Sequence, residues 1–107
     1  VDRIARVTLE SSARILSVDG EPLNLTTVEY EILARLVYAA GTVVARDRLI
    51  AEVFEREAAP EDRALDVHIS NLRKKLGAYK SLIVTVRGVG HMLRAASAPI
   101  TVDASLR

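Results

Sequence analysis

No cysteine occurs in the 107 residues. A disulfide framework and a thiolate metal site are therefore both out of reach, and the composition suits a reducing, cytoplasmic setting. The two histidines, His68 and His91, stand far apart and make a poor metal site. Long hydrophobic runs are missing too. Apolar stretches last only a few residues and "VDRIAR" leads into no signal-type region, so a soluble chain is read, with neither membrane span nor export signal. Signatures of catalysis are also lacking: there is no P-loop and no nucleophile with a plausible base beside it, and "RGVG" lacks the strand-to-helix setting of a dinucleotide fingerprint. Neither an enzyme nor a cofactor is expected.

What is present suffices for one domain with a modest core, since half of the chain is hydrophobic. The chain opens on Val1 rather than methionine and reads as a fragment lacking an N-terminal partner domain. The net charge of +1 conceals a division. Residues 1–62 hold 7 basic and 12 acidic side chains, whereas residues 63–95 hold 7 basic and 1 acidic, and residues 96–107 hold one of each. A C-terminal half this basic is what a phosphate-facing surface needs, although clustered charge is also the ordinary state of a solvated face.

Along the chain, "RVTLE", "ARILSV" and "PLNL" read as strands separated by the turn residues of "SS" and "DGEP", which makes a small N-terminal antiparallel sheet. Thr26 followed by Glu29 is a capping box, and the stripe Tyr30, Leu33, Leu36, Val37 and Ala40 predicts a helix ended by Gly41. "TVV" is a short extended piece. "RDRLIAEVF" predicts a second helix burying Leu49, Ile50, Val53 and Phe54, with Ala45 as a poor N-cap. After the polar connection "EREAAPE", a third helix is expected from about Glu61 to Gly77, with Glu61 and Asp62 at its positive end and Arg73, Lys74 and Lys75 at the other. "LIVTVRGVGHMLRA" reads as a β-hairpin turning at "RGVG". The domain is placed at 1–95, with 96–107 as a flexible tail.

The third helix carries two distinct faces. At about 100° per residue, Leu65, Ile69, Leu72 and Leu76 fall in one arc that must face the core. The opposite arc carries Arg63, Val67, Ser70, Asn71 and Lys74. Ser, Asn and Val are indifferent helix formers, so helix stability did not select them. Asn can contact adenine bidentately, Arg and Lys reach guanine or phosphate, and Val can touch a thymine methyl. Three helices followed by a hairpin make a winged helix-turn-helix, in which Arg87 at the hairpin tip can enter the minor groove while Thr85 and the turn amides hold phosphate. Taken alone, the helix face also reads as a mixed polar surface, and the hairpin as a cover for the core.

"LTTVEYEILARL", "RDRLIAEVF", "EDRALDVHISNLRKKLG" and "VTVRGVGHML" together resemble the effector domain of OmpR/PhoB-type response regulators, in order from about Arg6 to Arg94. "HISNLRKKL" is most similar to the subgroup of CpxR and its relatives. The resemblance implies an α+β fold with an N-terminal four-stranded sheet, three helices and a C-terminal wing, binding promoter DNA as tandem copies on direct repeats. By that likeness Arg63, Val67, His68, Ser70 and Asn71 line the major groove. Arg73 and Lys74 hold phosphates, and Arg87 is the minor-groove residue. The loop from Phe54 to Glu61, with Glu55, Glu57 and Glu61, matches the segment that meets RNA polymerase. A receiver domain and its sensor kinase are implied as partners outside this chain, and neither Asp62 nor Asp66 is the phosphorylated aspartate. The sequence departs from the family pattern at Phe54, where tryptophan is usual, at His91, where tyrosine is usual, and at Ala45, often a small hydroxyl residue. His91 and His68 are expected to pack more than to titrate or read DNA. The alternative function is a winged helix that contacts RNA polymerase without reading DNA; a basic, hydrogen-bonding recognition face argues against it.

Overall fold

A computed structural model describes residues 6–39, 41–60 and 62–94, together with the backbone of 100–102. Strand β1 (Val7–Glu10) runs antiparallel to β2 (Ile15–Val18), with Val7 opposite Val18 and Leu9 opposite Leu16. These four side chains are buried, while Glu10 and Ile15 are exposed, the period-two alternation of a half-buried sheet. Asp19 (φ 52°) and Gly20 (φ 83°) close the tight turn into β3, since a two-residue hairpin turn of this hand needs positive φ at both positions. Strand β3 is only Glu21–Pro22, shorter than "PLNL" suggested. Leu23 N–H still donates to the Leu16 carbonyl at 2.8 Å, and Leu23 and Leu25 pack against the core.

Helix α1 (Thr27–Tyr38) begins at the expected capping box: Glu29 N–H donates to Thr26 Oγ1 at 3.2 Å and Thr26 N–H to Glu29 Oε1 at 3.0 Å. Tyr30, Leu33, Leu36 and Val37 are buried as the stripe required, and Ala40 lies outside the described residues. The helix stops at the Ala39 cap, just short of Gly41. Helix α2 (Arg46–Phe54) buries Leu49 and Ile50 fully and leaves Val53 and Phe54 half-buried. Helix α3 (Ala64–Leu76) buries Leu65, Ile69, Leu72 and Leu76, each stabilising the fold by about 1.5–3 kcal/mol relative to exposure. Gly77 caps it at φ 57°, and a 3-10 turn (Gly77–Leu82) that the sequence had not suggested leads into the wing.

The hairpin is present as β5 (Ile83–Val86) and β6 (Gly90–Leu93). It is not a free pair. Val44, the last residue of "TVV", forms β4 with Ala45 (Val44–Ala45), which pairs antiparallel with β6 and makes a three-stranded sheet in the order β4-β6-β5. A second difference concerns the tail, expected to be structureless and flexible: Ile100–Val102 form β7, parallel to β1, and complete a four-stranded sheet in the order β3-β2-β1-β7. Three residues are too few to show a period, and the unpaired edge of β1 is what recruits them. Residues 96–99 and 103–107 of that tail lie outside the described residues.

Candidate nucleic-acid interface

Burial of one row of α3 fixes the direction of the other. Arg63, Val67, Ser70 and Lys74 are exposed at the spacing of one helical face, and Val67 keeps 55 % of its surface in solvent. Asn71 is half-buried beside this row. His68 is half-buried as well, its ring 5.7 Å from that of Phe54, so the packing role expected for it is met by a contact with α2. The helix starts later than Glu61, which lies outside the described residues. Arg63 occupies the cap position without a side-chain cap bond, and Asp62 Oδ1 instead accepts the Ala64 N–H at 3.1 Å. Arg56 pairs with the same carboxylate. The hydrogen bond from Arg56 is the chief reason that the Asp62 carboxyl lies far below the usual range, and the Ala64 amide adds to it.

At the wing tip, Arg87 and Val89 are exposed around Gly88 (φ 78°), and Val89 N–H donates to the Val86 carbonyl at 2.9 Å. The second glycine of "GVG" serves packing instead of the turn. A Cβ on Gly90 would stand 1.9 Å from the carbonyl oxygen of Val44, so β4 can approach only because no side chain is there. The carbonyl of Val89 accepts the Arg46 N–H at 3.0 Å and so satisfies the first amide of α2, while Ala45 offers no side-chain cap. A groove between this wing and the starts of α2 and α3 is lined by Arg46, Asp66, Thr85, Arg87 and His91. Arg46 and Asp66 face each other there at 3.6 Å.

Arg73 and Thr85, both expected on phosphates, meet each other. Arg73 Nη2 donates to Thr85 Oγ1 at 2.7 Å and to the Ile83 carbonyl at 3.0 Å. Lys75 turns away from the exposed row and reaches the buried Glu29 of α1. Lys74 remains exposed and shares a shallow hollow with Ser70, Gly77 and Lys80. No local pattern marks Lys80, and only the basic excess of residues 63–95 points to it. In the connection after α2, Glu55 and Glu57 are exposed, with Glu55 in the left-handed region at φ 55°. Among the described residues no group of three His, Cys, Asp or Glu could hold a metal, and no helix is long and apolar enough to cross a membrane.

The chain and its fold resemble those of known proteins. The transcriptional regulatory protein CpxR homolog of Haemophilus influenzae is 46% identical over 90 residues, covering 81% of this chain and 40% of that protein. BasR of Escherichia coli is 41% identical over 90 residues, covering 84% and 40%. The chain thus spans about two-fifths of the length of these curated relatives. Among solved structures, the DNA binding domain of CpxR from E. coli superposes with a TM-score of 0.75 at 34% identity, covering 94% of this chain and 95% of that one. The Klebsiella pneumoniae RstA DNA-binding domain, solved in complex with the RstA box, gives 0.72 at 32%, covering 79% and 87%. Residues 20–93, from the β2–β3 turn to the end of the wing, match the family described as "Transcriptional regulatory protein, C terminal". With its three helices, its wing and these relatives, the chain belongs to that family, as a CpxR-like effector domain of the OmpR/PhoB type, a non-enzymatic class.

Proposed function

We propose that this domain binds double-stranded promoter DNA in the cytoplasm and regulates transcription, with α3 in the major groove and the wing in the minor groove. The exposed row Arg63, Val67, Ser70 and Lys74 carries the reading, because four buried leucine and isoleucine side chains hold that row rigidly toward a partner. Arg63, Val67, Ser70 and Asn71 meet base edges, with Asn71 suited to adenine and Val67 to a thymine methyl. His68, braced by Phe54, borders the same surface. Lys74 takes a phosphate. Arg73 and Thr85 were expected to do the same, but their mutual hydrogen bond makes their first role the joining of helix and wing. Arg87 enters the minor groove, whose negative potential favours a guanidinium. Relatives solved on DNA, the RstA domain on its box and the AdeR domain on an intercistronic region, support this reading.

The partners follow from the same family. A second copy on a tandem site, RNA polymerase at the acidic loop with Glu55, Glu57 and Glu61, and a receiver domain answering to a sensor kinase complete the proposal. Selection of bound duplexes from a random library at near-physiological salt tests it. Enrichment of a short direct repeat spaced by about one helical turn is the expected result. Binding that only fades with rising salt, with no enriched sequence, would favour a module that contacts polymerase without reading DNA.

A further inference from the structure

Helix and wing are joined by a chain of hydrogen bonds that base and phosphate reading does not require. Arg73 on α3 donates to Thr85 Oγ1 on β5 at 2.7 Å, and Thr85 Oγ1 lies 3.0 Å from Nδ1 of His91 on β6. An arginine only donates, so Thr85 accepts from it and can direct its own hydroxyl proton at the imidazole. His91 is 4 % exposed. The charged groups that act on it are Arg73 and Asp66 from α3 and Arg46 from α2, while β4 brings the uncharged Val44 opposite it. Arg46 also holds Val89 at the wing tip through its backbone. The wing is therefore fastened at its middle to α3 and at its tip to α2.

The geometry points to Thr85 and His91 as positioning residues for DNA recognition: the chain Arg73, Thr85, His91 sets the angle between the recognition helix and the wing that carries Arg87 at its tip, so that both grooves are met by one rigid unit. This rests on the minor-groove reading of Arg87. A wing free to swing would have to be ordered on binding, and that ordering lowers affinity. Burial drives His91 toward its neutral form, and the Arg73 charge acts in the same sense, against a smaller opposing effect of Asp66. Protonation would set a second cation across the Thr85 oxygen from Arg73 and loosen the chain.

The test measures affinity for a selected duplex by fluorescence anisotropy, with circular dichroism at each pH to score only folded protein. Arg87→Ala is expected to weaken binding by about tenfold, the scale of one charge-assisted contact. Thr85→Val should weaken it by roughly threefold or more, Thr85→Ser should restore it, and Arg87→Ala with Thr85→Val should bind no worse than Arg87→Ala alone, because Thr85 acts through the wing. Binding by the parent domain should hold through the ordinary histidine value and fall only at lower pH, as the lowered His91 value is crossed, while His91→Gln removes that fall. Wild-type affinity in Thr85→Val beside a weakened Arg87→Ala would overturn the positioning role, as would multiplying effects in the double variant or tighter binding in acid. Wild-type affinity in Arg87→Ala would instead overturn the minor-groove reading. Should His91→Gln not fold, the Thr85 pair on an exposed strand position carries the test.

Discussion

The α-carbon of Gly90 and the carbonyl of Val44 are so close that a methyl group placed on the glycine would stand 1.9 Å from the oxygen. That approach lets β4 join β6 and ties the wing to the body of the domain. Gly90→Ala must push β4 away. The expected cost is about 1–3 kcal/mol of stability, the range for overpacking, with loss of amide protection in β4 and β6. An unchanged urea midpoint would show that the strand yields without cost.

Lys75 Nζ reaches Glu29 Oε1 across 46 residues of sequence, bolting the end of α3 to the first turn of α1. Burial alone would raise the Glu29 carboxyl. The hydrogen bonds from Lys75 and from the Thr26 amide outweigh it, and the folded value is lowered. The folded state thus binds fewer protons than the unfolded chain, so this stabilisation is present above the ordinary glutamate value and is lost as pH falls through the lowered one. Urea midpoints should decline as pH falls from the ordinary glutamate value through the lowered one, with a shallower decline in Glu29→Gln. Lys75→Met should cost roughly 1.5 kcal/mol near neutrality, the low end for a charged hydrogen bond because the lysine is partly solvated. Parallel declines in parent and Glu29→Gln would place the acid sensitivity elsewhere.

Asn71→Ala should lose about 1–3 kcal/mol on the selected site and relax preference at one base position, since an amide reads adenine bidentately. An equal loss on random duplex would assign Asn71 to the backbone.

Lys74→Ala should weaken binding to every sequence and flatten the plot of log affinity against log salt by about one unit, the slope of one neutralised phosphate. A slope identical to that of the parent would remove Lys74 from the phosphate contacts. Lys80→Ala in the same hollow, measured alongside, asks whether the basic surface extends past the helix.

Local rules made much of this domain legible. The Thr26–Glu29 capping box, the buried row of Leu65, Ile69, Leu72 and Leu76, the exposed row beginning at Arg63, and the hairpin around Arg87 all depend on residues a few positions apart, where helical and strand periods hold without knowledge of the rest of the chain. The sequence by itself therefore determined the three helices, the hairpin and which face of α3 stays exposed. Tertiary structure decided what joins those elements: β4 in the wing sheet, the Val89 carbonyl on the first amide of α2, Arg73 on Thr85, Lys75 on Glu29 and β7 beside β1. Each couples residues distant in sequence whose types are ordinary in themselves. A hydrogen bond between them has no period to announce it, and it exists only once burial of the apolar rows has brought the two backbones together.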